Sequence, residues 1–362
     1  MSTDARLTGP AGDLQELVRS VMTPQAADPV AVQQHLDSLT KPPRSLGYLE
    51  ELALRLAVIY GDPTPPLRPR VVLVLAADHG VTNQGVSAYP RSVTAEMCRN
   101  YLNGGAAVSA IARSTGSGIV VVDMGVDADL SDMADLVHRK VRRGTRDLAE
   151  EPALRPDEVT QAILAGASVL ALRAPDALLI GLGEMGIGNT TSASAITAAL
   201  TGVAPESVVG RGTGVSDQAL QRKQAAVRQG VARLNGSIEP LHVLAEVGGL
   251  EIAGLVGVVM AGAAAGRAVV TDGFIATAAA LLAVRLCPAS WPYLFASHCS
   301  AEPGHRVLLN ALRLRPIYEL DMRLGEGTGA ALAFPVFDAS AAILRDMATF
   351  QSAGVSGPAG GA

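Results

Sequence analysis

The chain has 362 residues, 49% of them hydrophobic and only 3% aromatic, with a formal net charge of −5. That length suits one large domain or two smaller ones of about 150 residues each, with a core drawn from Ala, Gly, Val and Leu rather than from rings. The mild negative charge excludes the broad basic surface that a nucleic-acid partner requires.

Residues 1–12 and 353–362 are rich in Gly, Pro and Ser and read as disordered tails. The N-terminus has no basic-then-apolar leader pattern. The segment 12–60 reads as largely helical, with apolar residues recurring at Leu49, Leu52, Leu56 and Ile59. DPTPPLRPR at 62–70 breaks it. VVLVLAA at 71–77 follows, ending in Asp78-His79-Gly80, and reads as a strand buried on both faces. IVVVDMG at 119–125, ALLIGLG at 177–183, AVVTDG at 268–273 and YLFASH at 293–298 read the same way. Helices are expected between them, at about 92–113, 157–173, 189–200, 216–234, 249–265 and 274–286, with a last long one at 328–349. The apolar run 252–266 is shorter than the roughly 20 residues that cross a bilayer, so it reads as a buried core helix and no membrane is expected. Cys98, Cys287 and Cys299 are odd in number and lack CxxC spacing, which points to a reducing cytoplasm.

Strands alternating with helices predict an α/β fold, a parallel sheet flanked by helices. In such sheets ligands bind at the carboxyl ends of the strands, and here those ends are small or polar.

Three glycine-rich loops carry candidate chemistry. GLGEMGIGNTT at 181–191 follows a strand and opens a helix, whose free N–H groups and positive dipole end form an anion site. Gly181, Gly183 and Gly186 also fit the dinucleotide fingerprint GxGxxG, so a phosphate-bearing substrate, a dinucleotide and a plain turn all fit the pattern. GRGTGVSD at 210–217 precedes a helix capped by Ser216 or Asp217, with Lys223 one to two turns inside it. That lysine reads either as a solvated side chain or as a partner for an anion. RLGEGTG at 323–329 holds Glu326 between two glycines ahead of an apolar helix. An acid there either complements the helix dipole or, in an apolar cleft, becomes a general base near neutral pH. His79, His298, Cys299 and His305 show no metal-ligand spacing, so no metal is expected.

With these loops, KPPRSLGYLEELA at 41–53, AADHGVTNQGVSAYPRSVTAEM at 76–97, GGLEIAGLVG at 248–257, DGFIATAAALLA at 272–283 and SHCSAEPGH at 297–305 appear in unbroken order. The chain thereby resembles the nicotinate-nucleotide:dimethylbenzimidazole phosphoribosyltransferases over about residues 36–356. The resemblance implies transfer of the 5-phosphoribosyl group of nicotinate mononucleotide to 5,6-dimethylbenzimidazole, giving α-ribazole 5′-phosphate and nicotinate for cobalamin assembly. It implies a Rossmann-like catalytic domain at 66–327, a small helical domain from 13–65 and 328–352, a homodimer, and no cofactor. It implies Glu326 as catalytic base and Glu184 as a transition-state stabiliser. Gly186, Gly188, Asn189, Thr190, Gly212, Lys223 and Ser300 would hold the phosphoribosyl group. Ser87, Glu96, Met185 and Leu324 would border the base. Glu96 stands where the family often has Gln, and Arg44 where it often has Gly. A dinucleotide oxidoreductase and a non-catalytic nucleotide sensor are the competing readings, and the intact Glu326 loop weighs against the sensor.

Overall fold

The computed structural model describes residues 13–25, 27–62, 65–212 and 214–356. The expected tail at 1–12 and residues 357–362 of the other lie outside the described residues. Seven strands form one sheet: β1 Arg70–Ala77, β2 Gly118–Gly125, β3 Val137–His138, β4 Leu179–Met185, β5 Ala268–Thr271, β6 Leu294–His298 and β7 Pro316–Tyr318. Their order is β3-β2-β1-β4-β5-β6-β7, and every pairing is parallel. The chain reverses its direction of travel across the sheet between β1 and β4, which is where doubly wound sheets open a crevice. All eight residues of β1 are buried: seven are the apolar run 71–77, and the eighth, Arg70, pairs with Asp338 at 2.9 Å.

The shortage of aromatics has a structural counterpart. The helix Leu250–Ala264 is buried along its whole length. It lies backbone to backbone on the helix Pro156–Arg173, because a Cβ at Gly166 would strike the Gly254 carbonyl and one at Gly257 the Ile163 carbonyl. The apolar run 252–266 is therefore a core helix, and among the described residues no helix is long and apolar enough to cross a membrane.

A second, smaller apolar cluster joins the two ends of the chain. Val32, Leu36, Leu39, Ala53 and Ala57 pack with Ile343 and Leu344, and Leu39 bridges Thr349.

The structure subdivides two stretches read as helical. The segment 12–60 contains three, Leu14–Ser20, Pro29–Ser38 and Tyr48–Tyr60. The stretch 92–113 is two, Val93–Leu102 and Ala107–Thr115, parted by Asn103-Gly104-Gly105 with Gly104 at φ 74°. The expected tail at 353–362 begins inside a short helix, Phe350–Ala353. β3, β7 and the helices Pro240–Val247 and Pro303–Leu312 are additions to the expected elements. The two strands have two and three residues, too few for periodicity to register. Arg44 sits at φ 61°, a conformation that favours glycine.

Candidate functional site

A cavity of about 600 Å³ opens beyond the carboxyl ends of β4, β5 and β6. Glu184, Met185, Gly186, Asn189, Thr190, Gly212, Ser300, Leu324 and Glu326 all line it, so the three glycine-rich loops converge. Gly188, Lys223, Ser87 and Glu96 are not among its lining residues. Gly188, at φ 98°, is the cap residue of the helix Asn189–Thr201. No side chain caps that helix, and Asn189 turns to Glu184 instead. Ser87 accepts a hydrogen bond from the Tyr89 amide at 3.1 Å. Glu96 is exposed on the helix Val93–Leu102, whose Val93 and Met97 line the cavity.

Lys223 lies behind the wall. It is 1% exposed, and its Nζ donates to Thr190 Oγ1 at 2.9 Å and to the Gly210 carbonyl at 3.0 Å. Its helix, Asp217–Arg233, is capped by Ser216, whose side chain accepts from the Ala219 amide. Burial lowers the Lys223 ammonium to about 8, against the pull of Glu302. The Glu302 carboxylate lines the cavity and accepts the Gly212 amide at 3.0 Å. The lysine thus ties two loops together from beneath.

Glu326 is 7% exposed and stands at φ 67°, between Gly325 at 87° and Gly327 at 85°. A left-handed non-glycine residue costs about 1–2 kcal/mol, and flanking glycines let the chain hold three such residues in a row. Strain of this kind concentrates at functional sites. Burial pushes the Glu326 carboxyl up, as does Asp272, while Tyr101 and the Val108 amide pull it down. Its Oε2 has no hydrogen-bond partner among the described residues.

Glu184 stands next to last in β4, beneath this loop. Its carboxylate accepts from Asn189 Nδ2 and from the Glu326 amide. Burial, reinforced by Asp272 and Glu251, raises it to about 8. Gly325 packs directly on it, since a Cβ there would strike Glu184 Oε1.

Several residues to which pattern reading gave no catalytic or binding role belong here. Asp272, at the end of β5, accepts from the Gly327 amide at 2.9 Å and the Gly329 amide at 2.6 Å. His298 lines the cavity, with Nδ1 3.8 Å from Asp272 Oδ1 and 3.0 Å from Ser297 Oγ. Tyr101 is 3% exposed and faces Glu326. Arg323 sits in the lining as a cation. DG after an apolar run was the only available sign of Asp272, because its partners lie over 50 residues away.

His79 pairs with Glu251 at 2.7 Å, both side chains fully buried, under Gly186. It is a hydrogen-bonding strand-end residue. Among the described residues no three His, Cys, Asp or Glu side chains gather to hold a metal.

Comparison with known proteins adds sequence and fold. A family described as phosphoribosyltransferase matches residues 22–355. The nicotinate-nucleotide–dimethylbenzimidazole phosphoribosyltransferase of Thermus thermophilus is 53% identical over 322 residues, covering 89% of this chain and 96% of that one. The enzyme of the same name from Desulforamulus reducens is 47% identical, covering 95% and 99%. A crystal structure of the Thermus thermophilus enzyme superposes with a TM-score of 0.88 at 49% identity, covering 93% of this chain and 100% of that one.

Proposed function

Because the chain belongs to the nicotinate-nucleotide–dimethylbenzimidazole phosphoribosyltransferase family, matched along residues 22–355, we propose that Glu326 is the base through which it carries out that reaction. The enzyme moves the 5-phosphoribosyl group of nicotinate mononucleotide to 5,6-dimethylbenzimidazole, releasing nicotinate and α-ribazole 5′-phosphate.

The chemistry asks little of the protein in acids and bases. The leaving nitrogen is a cationic pyridinium, which departs with the bonding pair and becomes neutral. No general acid is needed. One benzimidazole nitrogen attacks C1′ with inversion, and the other must shed its proton. A single base suffices, unlike the carboxylate pair of a glycosidase. The observation that carries the assignment is the Glu326 carboxylate, buried with its Oε2 unpartnered, held between two left-handed glycines and facing a cavity lined by Val93, Met97 and Leu324; the other buried carboxylates of the lining, Glu184 and Glu302, hold Asn189 and the Gly212 amide. The raised affinity of Glu326 for a proton matches it to this task.

The phosphoribosyl group is assigned to the loops of Gly186, Gly188, Asn189, Thr190, Gly212 and Ser300, with Lys223 anchoring them. The amides at the start of the helix Asn189–Thr201 suit a phosphate. Glu184 is assigned to the cationic ribosyl carbon. Burial raises its carboxyl to about 8, which favours the protonated form at neutral pH. A pyridinium arriving beside it favours the ionised form, so the charge appears when substrate binds. Met185 and Leu324 border the base. Ser87 and Glu96 join them in the proposal through neighbouring segments, and Glu96 is where a preference among bases would be set.

The proposal extends to a cytoplasmic homodimer that needs no cofactor. Tyr89 and Leu324 line the cavity while 52% and 58% exposed, an apolar rim suited to cover by a second copy. All three cysteines are buried and unpaired. The test is nicotinate release with a panel of benzimidazole, purine and phenolic bases, with products read by mass. Phosphoribosylated 5,6-dimethylbenzimidazole as the preferred product supports the reading. Nicotinate release unaffected by any base would reject it.

A further inference from the structure

We propose that Asp272 and Tyr101 are positioning residues for Glu326: Asp272 pins its loop, and Tyr101 sets a buried hydroxyl beside its carboxylate. The inference rests on Glu326 being the base.

The geometry of Asp272 is specific. Glu326 is held in a left-handed conformation between glycines, which by itself leaves the loop loose. The Asp272 carboxylate, 1% exposed, removes that freedom. One oxygen accepts from the Gly327 amide and the other from the Gly329 amide. These are the residue after the base and the first turn of the helix Thr328–Asp346. A buried acid at a helix start is commonplace, but this one arrives from a different strand and spans both sides of Thr328. Tyr318 donates to the Gly329 carbonyl from β7, so the helix start is gripped at donor and acceptor alike. There is no space for slack: a Cβ at Gly329 would collide with His298 Nδ1 and lie 2.6 Å from Asp272 Oδ1.

Tyr101 comes from the helix Val93–Leu102, whose Val93 and Met97 line the cavity. Its hydroxyl is buried beside the Glu326 carboxylate, and neither it nor Glu326 Oε2 has another hydrogen-bond partner among the described residues. Burial and the nearby Glu326 charge keep the phenol protonated, so it can only donate toward the carboxylate. The polar groups around Glu326 are then Tyr101 from that helix, the Val108 amide from the next, Asp272 from β5, and Glu184 from β4, which accepts the Glu326 amide. Asp272 raises the Glu326 carboxyl and Tyr101 lowers it. Together they fix where the base points and at what pH it is ionised.

The two residues give opposite signs in one assay. kcat is measured against pH at saturating nicotinate mononucleotide and 5,6-dimethylbenzimidazole in the wild type, Asp272→Asn, Tyr101→Phe and Glu326→Gln. Asp272→Asn keeps one acceptor and loses a charge. Its kcat should fall at least about tenfold with KM for nicotinate mononucleotide within about threefold, and its acidic limb should move to lower pH. Tyr101→Phe removes only the hydroxyl, and its acidic limb should move to higher pH. If Asp272→Asn does not fold, Tyr101→Phe still decides the matter. A limb unmoved in either folded variant, with Glu326→Gln inactive, overturns the inference and leaves Glu326 as the base. An active Glu326→Gln overturns the assignment of the base itself.

Discussion

Gly183→Ala tests how closely the base is fitted to the sheet. Gly183 pairs with Val74 inside β4, and its backbone accepts any L residue, so the effect is purely steric. A Cβ there would lie 2.6 Å from the Glu326 carbonyl oxygen and 3.0 Å from its carbonyl carbon. Ordinary contact begins at 3.4 Å, so the Glu326 backbone must retreat from 2.6 to 3.4 Å, about 0.8 Å. It cannot retreat freely, because Asp272 holds the next amide. Overpacking of this kind costs about 1–3 kcal/mol, which lowers the melting temperature without unfolding the protein. A displacement near 1 Å at the reacting group costs about a hundredfold in rate. Nicotinate release should therefore fall by about two orders of magnitude, with KM for nicotinate mononucleotide little changed. A folded Gly183→Ala enzyme with kcat within twofold of wild type would refute the steric argument.

Two further outcomes follow from burial of charge. Glu184 gives up its proton at about 8 in the folded protein and at its ordinary 4.5 when unfolded. The folded state binds more protons between those values, so stability is fully present below 4.5 and is lost as pH rises to about 8. Glu184→Gln should flatten thermal stability across that window, raising the melting temperature at pH 8 more than at pH 5; equal changes at both would contradict this. Lys223 loses its charge as pH rises through about 8, and with it the strength of its bonds to Thr190 and Gly210. KM for nicotinate mononucleotide should climb above that pH in the wild type, and Lys223→Met should show a raised KM, by about tenfold, with no such climb.

What the chain disclosed before its structure was known follows from which interactions are local. The strands β1, β2, β4, β5 and β6 announce themselves as two-sided apolar runs, and Glu326 stands out because glycines enclose it. β3 and β7 are too short to show a period, and they form only because β2 and β6 offer them an edge. The roles of Asp272, Tyr101 and Glu302 are hidden for another reason. Each works through partners between 50 and 230 positions away, and a lone acid or tyrosine in an apolar stretch carries no pattern. Lys223 was legible as a candidate, but its place behind the wall rather than in it depends on helix packing. Arg44 takes a left-handed turn at φ 61°, a backbone strain remote from the cavity and not foreseeable from its neighbours in sequence.

The central claim is that Glu326 removes the proton from the attacking base. The direct measurement is nicotinate release by Glu326→Gln with nicotinate mononucleotide and 5,6-dimethylbenzimidazole, beside the affinity of that variant for nicotinate mononucleotide. The amide keeps the size of the side chain and cannot take the proton. Turnover should fall by about 10²–10⁴-fold while affinity stays within about threefold. Turnover near the wild-type rate in a folded Glu326→Gln enzyme would contradict the account.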